Sequence, residues 1–483
     1  MDKKYKRLFK NTLWTLVGNT GSKMLTFLLL PLYTRWLGTE GFGLSDLITT
    51  YSTMLVGIIT LCTADGIFIF TKNKQFAEQQ QYFSTTIKIS MLLFLLWMVI
   101  FCGMQLVFKV FCIHNAFADN LWLIFGIVFS TFLQNYTQQF IISLEKMKIY
   151  SLTGIILCIS TFIFSWLMIP NMGVQGYVLA IIIANVVTSI YSFVFSKSWC
   201  YLQIRGFQSN KARELLTYSI PLIPNAVMWW LVQALNRPVM ESNLGYSAIG
   251  IYAVANKFPG VITMVFSLFA VSWNISVFEE YGKPAFENFY SKIFRMLFFV
   301  IISGTLLLCL SSQLIIRTFA APEFTEAWKY MVILMIGAAI SCMSAFWGTV
   351  FGVVKQSRYF FYSSVWGALA SVGANFLLIP KWGLYGASIS VFISYMVMAF
   401  SRYLYSRKFV SAKLLNVSLL YIGVMVGVSV GIILFDNIFV KILVTGIGIL
   451  ILCFLERNSC KELLLKLFKW QLLAHRPTRK AED

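Results

Sequence analysis

Long apolar stretches alternate with short polar ones along the whole chain. Fourteen of them approach or exceed the roughly 20 residues that a helix needs to cross a bilayer. Six fall near 11–34, 43–71, 84–111, 118–141, 149–169 and 173–196. Six more fall near 213–239, 247–275, 289–316, 327–352, 359–379 and 383–405, and a last pair near 414–435 and 438–455. Within each stretch the apolar positions run continuously and do not alternate, which argues against a transmembrane β-barrel. The pattern predicts an all-α polytopic membrane protein.

The first and second sets of six echo each other. Pro31, Leu37-Gly38 and Gly43 recur as Pro238, Leu244-Gly245 and Gly250, each 207 positions later. Ile169-Pro170-x-x-Gly173-x-x-Gly176 recurs as Ile379-Pro380-x-x-Gly383-x-x-Gly386 at an offset of 210. A constant offset on this scale marks an internal duplication. Six is an even number, so both copies enter the membrane from the same side. Such a parallel repeat is related by an axis along the membrane normal, and its working site is expected between the halves. The predicted organisation is a six-helix bundle over 1–206, a second over 207–412, an extra helix pair over 413–455 and a basic cytoplasmic tail over 456–483. The extra pair reads as a lipid-side buttress, a partner site or a wall of a lipid groove.

Composition agrees with a membrane protein: 58% of the 483 residues are hydrophobic and 12% charged, against about 25% charged in soluble domains. The net charge of +20 has a plain origin in cytoplasmic loops, where Lys and Arg accumulate. With the N-terminus placed inside, thirty of the 39 basic residues lie on the cytoplasmic side and seven opposite, so both termini are expected in the cytoplasm. No basic-aromatic motif points to nucleic acid. The nine Cys have no paired spacing and His114 and His475 are the two histidines, so a metal site, a cofactor and histidine-based acid–base catalysis are all unexpected. No cleavable signal peptide is evident after the basic start MDKKYKRLFK.

The Leu-Gly-x4-Gly turn after the first helix, its echo before GIYAVANKF, and the Ile-Pro-x-x-Gly-x-x-Gly turns together resemble the polysaccharide-transporter, Wzx-like flippases of the multidrug/oligosaccharidyl-lipid/polysaccharide exporter superfamily. The resemblance covers nearly the whole chain, including the fourteen-helix count. It implies a flippase that moves undecaprenyl-diphosphate-linked oligosaccharide across the bacterial cytoplasmic membrane by alternating access, for surface polysaccharide biosynthesis. Implied partners are the lipid-linked oligosaccharide, membrane lipid, and a polysaccharide polymerase or glycosyltransferases. In that family the seventh helix often ends in Asp-Arg; here it reads Asn236-Arg237, which leaves any role for that carboxylate unfilled.

An ionisable side chain at membrane depth costs at least a few kcal/mol and therefore tends to face a cavity. Lys23 lies midway along the first helix with Asn19 one turn earlier, and Lys257 lies in the eighth helix. Arg237 and Arg35 end the seventh and first helices. Lys23, Lys257 and Arg237 facing one cavity would suit a diphosphate, Arg as a bidentate partner and Lys as a point charge; the alternative is snorkelling to the interface. Gln233 and Asn236 are three apart, which on a helix places them on one face beside Arg237. Such amides suit sugar hydroxyls or helix–helix hydrogen bonds. Asp65 and Asp46 are the candidate carboxylates for coupling to H+ or Na+, or for pairing with Lys23. Pro221 and Pro224 predict a hinge in the seventh helix, and Trp229-Trp230 either stack on sugar or face lipid.

Three other functions compete. A cation-coupled drug or metabolite antiporter of the same fold would want an acidic cavity, whereas the charges at membrane depth here are mostly basic. A membrane-embedded transferase or polymerase would need converging Asp, Glu or His in long loops, which the chain lacks. A non-transporting scaffold leaves the polar residues of the central helices without a purpose. The protein is expected not to be an enzyme.

Overall fold

A computed structural model describes residues 3–203, 206–411 and 414–457, with the backbone alone over 3–26. Among the described residues the chain forms helices and no strands. The first copy runs α1 (Lys3–Ile59), α2 (Thr63–Thr71), α3 (Phe76–Val110), α4 (Ala116–Asp119), α5 (Leu121–Ser143) and α6 (Met147–Phe195). The second runs α7 (Ser209–Ser219), α8 (Leu222–Gln233), α9 (Asn236–Leu244), α10 (Tyr246–Lys257), α11 (Pro259–Glu280), α12 (Phe286–Leu310), α13 (Ser312–Phe319), α14 (Ala327–Val353) and α15 (Arg358–Ser406), followed by α16 (Leu415–Leu434) and α17 (Ile438–Leu455). Helix is the form available to a single segment in hydrocarbon, because it satisfies every backbone N–H and C=O internally.

Among the described residues ten helical segments, with α7 joined to α8 and α10 to α11, are long and apolar enough to cross a membrane. Two of them, α6 and α15, span 49 residues each. A straight helix of that length would measure about 74 Å, more than twice the ~30 Å hydrocarbon core. Both break in the same way, at Gly173 (φ 54, ψ −127) and Gly383 (φ 55, ψ −129). The chain then turns back on itself. A Cβ added at Gly176 would sit 2.4 Å from the Met168 carbonyl oxygen, and one at Gly386 would sit 2.2 Å from that of Leu378. Residues eight apart on a straight helix would lie about 12 Å from each other. Gly38 (φ 62) breaks α1 likewise, and Gly245 (φ 80) separates α9 from α10. Gly38 and Gly245, and Gly173 and Gly383, thus pair across the repeat with both members at positive φ, a region that residues with a Cβ seldom enter. With α6, α15 and α1 each divided at its glycine and α5 included, the fourteen segments of the sequence all appear as helix.

The chain forms two compact units. One gathers the described residues through Lys257 with Ile315–Tyr330 and Gly367–Ser394. Its core is aromatic: Phe83 lies 4.3 Å from Phe140 between ring centroids, and the buried Tyr136 hydroxyl donates to the Phe83 carbonyl at 2.7 Å. The other unit gathers Phe258–Leu314, Met331–Trp366 and the described residues from Tyr395 onward. In it Trp273 stacks on Phe346 at 4.5 Å and donates its indole N–H to Thr349. The α16–α17 pair is fastened near both ends of α17. Lys441 Nζ donates to Gln313 Oε1 at 3.2 Å at one end. At the other, buried Glu456 accepts from Tyr421 at 2.7 Å and from Arg295 at 3.1 Å.

Candidate functional site

The site begins with a break in the seventh segment. The helix interrupts first at Pro221, where the sequence predicts a hinge, and again between α8 and α9. The second break follows from Pro238, which has no N–H for the Ala234 carbonyl. That carbonyl instead takes the amide of Arg237 at 3.1 Å. The Gln233 carbonyl thereby loses its own i+4 donor, and the Arg237 side chain supplies a replacement, Nη1 donating to it at 2.6 Å. The same Nη1 donates to Asn236 Oδ1 at 3.0 Å, and the guanidinium lies 5.0 Å from the Tyr252 ring centroid. Asn236 in turn donates to the Tyr252 hydroxyl at 2.5 Å. Arg237 is therefore fixed by its own local fold.

One nitrogen of that guanidinium points elsewhere. Arg237 Nε donates to Asp46 Oδ2 at 3.2 Å, and Lys257 Nζ stands 3.8 Å from Asp46 Oδ1. The side chain of Arg237 is 7% exposed, that of Asp46 11% and that of Lys257 30%. A guanidinium so enclosed has to be paired, since an unpaired buried charge is costly. Two cations share one carboxylate, so the cluster carries a formal surplus of one positive charge and is open at Lys257. The carboxylate that the family pattern places at 236 is supplied instead by Asp46 of α1, 191 positions from Arg237.

The two copies meet beside this cluster, and reciprocally. A Cβ on Gly43 would lie 1.9 Å from the Tyr246 carbonyl oxygen, and one on Gly250 would lie 2.0 Å from that of Thr39. Thr39 and Tyr246 are themselves 207 apart, so each copy presents the same backbone to the same glycine of the other. Ser247 Oγ donates to Thr39 Oγ1 at 2.8 Å across the contact. Further out, Glu241 accepts from Tyr51 at 2.7 Å and from the Ala116 amide at 2.7 Å. Thr34, its equivalent at the offset of 207, accepts from the Ala321 amide at 3.1 Å.

The structure brings Lys257, Arg237, Asn236 and Asp46 together. Gln233 joins them through its carbonyl, while its side chain is exposed; the break at Ala234 separates it from Asn236, so the spacing of three does not place the two on one helical face. Arg35 is exposed on α1, and Asp65 is exposed in the first turn of α2. Among the described residues, neither forms a hydrogen bond or ion pair with the cluster. The side chains of Lys23 and Asn19 lie outside the described residues, as does the tail beyond 457. Trp230 does not simply face lipid: its indole donates to the Thr50 carbonyl at 3.0 Å. Glu241 belongs to the seam as well, and no motif or spacing in the sequence marks it.

The family described as "Polysaccharide biosynthesis protein" matches residues 8–273. The capsular polysaccharide biosynthesis protein CapF of Staphylococcus aureus is 22% identical over 236 residues, which is 46% of this chain and 59% of that relative, so the match spans about three fifths of the relative's length. Among solved structures, the lipid II flippase MurJ in an inward closed conformation superposes with a TM-score of 0.69 at 14% identity, over 92% of this chain and 99% of its own. An inward-facing multidrug resistance MATE family transporter superposes at 0.63 with 15% identity, over 83% and 95%. At these identities the two structures establish a shared fold. The family match and that fold agree with the resemblance read from the glycine turns.

Proposed function

The chain belongs to the polysaccharide biosynthesis protein family, and on that premise we propose that it is a flippase for undecaprenyl-diphosphate-linked oligosaccharide. It works in the bacterial cytoplasmic membrane, with both termini inside. The diphosphate is drawn to Arg237 and Lys257, with Lys23 as a third cation from the first helix and the amides of Asn19 and Gln233 near the sugars, while buried Asn236 braces Arg237 against Tyr252. The observation that carries this reading is the convergence of two cations on a single carboxylate at the seam between the copies, within 3.2 and 3.8 Å. A doubly charged headgroup matches that surplus, and arginine and lysine at a water-poor site bind phosphate oxygens through charge-assisted hydrogen bonds. Translocation follows from the two copies parting on one side and closing on the other.

A cation-coupled antiporter of the same fold is the second reading. It is favoured less, because the enclosed cluster is net positive and would repel a cationic drug. The discriminating experiment replaces Lys23 and Lys257 together with Gln. Expression should persist, surface glycan export should fall to background, and lipid-linked intermediate should accumulate on the cytoplasmic face. Normal export by the double variant would overturn the proposal.

A further inference from the structure

We infer that Asp46 is an internal stand-in for the substrate's phosphate, occupying Arg237 and Lys257 while the site is empty and displaced from them when a diphosphate arrives. The inference rests on the reading of those two cations as phosphate contacts. It adds a link between binding and movement, because the bond that is broken is one that holds the copies together.

Three features of the geometry lead there. The first is the unequal anchoring of the partners. Arg237 keeps its place through Gln233 O and Asn236 Oδ1, both on its own segment, so it does not depend on Asp46 for position. Asp46 is the exchangeable partner, held by Nε at 3.2 Å and by the longer lysine contact at 3.8 Å. The second is charge. One carboxylate leaves a positive surplus, while a diphosphate brings at least two negative charges and more acceptor oxygens to the same donors. Lys257, at 30% exposure, is the side from which an anion can reach them. The third is position. Asp46 stands three residues after Gly43, whose backbone abuts Tyr246 and Gly250. Its two ion pairs, from α1 to α9 and α10, are the charged ties recorded across this seam among the described residues. Once a phosphate takes over the cations, the copies remain joined at this seam by the glycine contact, by uncharged hydrogen bonds and by the Glu241 contacts, and away from it by the Lys211–Glu78 ion pair. A substrate anion thereby loosens the closure that it meets.

The full-length chain in lipid nanodiscs, carrying Thr39→Cys and Ser247→Cys, reports the seam directly. The hydroxyls at those positions are 2.8 Å apart, which suits a disulfide when the seam is shut. The yield of that bond under mild oxidation is read by mass spectrometry, and inorganic pyrophosphate is the probe. Millimolar pyrophosphate should lower the yield at least threefold with native Asp46, and should leave it unchanged after Arg237→Gln. Asp46→Asn should lower it without pyrophosphate, and Asp46→Glu should restore it. An unaltered yield with pyrophosphate overturns the inference, and that arm needs no change within the cluster. Amine-reactive labelling of Lys257 separates this from the parent reading. If pyrophosphate protects Lys257 while the disulfide is unaffected, the displacement fails and phosphate binding stands. If it does neither, both fail. The series is run in phosphatidylcholine and repeated with phosphatidylglycerol. Loosening by phosphatidylglycerol alone would assign the cations to ordinary anionic lipid and overturn the inference for a diphosphate.

Discussion

The glycines and the charges at the seam obey opposite rules. Gly43 and Gly250 are copies of each other and touch the same backbone in the opposite half. Asp46, Arg237 and Lys257 have no counterparts: 207 positions away from them stand Ala253, Leu30 and Thr50. Symmetry therefore belongs to the frame and asymmetry to the site. The contrast has a physical basis. Close helix approach needs an absent side chain, and both partners in a two-fold contact must meet that need. A cation duplicated across the same axis would face its own copy and raise the cost of burial.

The sharpest way to break this contrast is to fill the frame. Gly43→Leu or Gly250→Leu forces a side chain into backbone that a Cβ alone would meet at 1.9 or 2.0 Å. Each should cost at least about 3 kcal/mol and remove the monodisperse peak in fluorescence-detected size-exclusion chromatography. Gly423→Leu, at a glycine with nothing within 4 Å, should leave that peak intact. Next is the site. Arg237→Gln leaves Asp46 enclosed without its main partner and should cost about 3 kcal/mol, visible as a lowered unfolding temperature. Adding Asp46→Asn should return most of the stability and none of the export. Recovery of both together would make the pair a structural tie and nothing more. A smaller effect is expected at the left-handed turns. Gly173→Ala and Gly383→Ala should each cost roughly 1–2 kcal/mol, and a clear inequality between them would show that the turns are not equivalent. Smallest is the reciprocal pair of acceptors. Thr34→Val and Glu241→Gln should each cost about 1 kcal/mol or less, with Glu241→Gln the milder because the amide oxygen can accept from the Ala116 N–H while its NH2 donates to the Tyr51 hydroxyl.

Much of the frame was legible in the residues themselves. Bilayer thickness turns apolar length into helix count, and the echoed Pro and Gly positions located the turns that Gly38, Gly173, Gly245 and Gly383 make. Arg237 and Lys257 stood out because charge is expensive at membrane depth. The partner of those cations was not legible. Asp46 reads as an end-of-helix carboxylate, and nothing local reports that α1 carries it to within 3.2 Å of a residue 191 positions away. The break at Ala234 was hidden for another reason. Pro238 marks one end of the repeated turn; its missing N–H leaves the Ala234 carbonyl to take the Arg237 amide, and that frees the Gln233 carbonyl which fixes the arginine side chain. Glu241 was not legible either, because a carboxylate beside a Leu-Gly turn has the pattern of a solvated side chain and its partners Tyr51 and Ala116 stand 190 and 125 positions away.

The account turns on phosphate recognition by Arg237 and Lys257, and reconstituted transport tests it most directly. Proteoliposomes holding the purified chain are loaded with a fluorescent undecaprenyl-diphosphate oligosaccharide, and the fraction reaching the opposite leaflet is followed with a membrane-impermeant glycosidase. The stably folded Arg237→Gln/Asp46→Asn protein should move that lipid at least tenfold more slowly than the parent chain. Equal rates for the two proteins, or transport of a neutral-headgroup analogue as fast as the diphosphate, would contradict it.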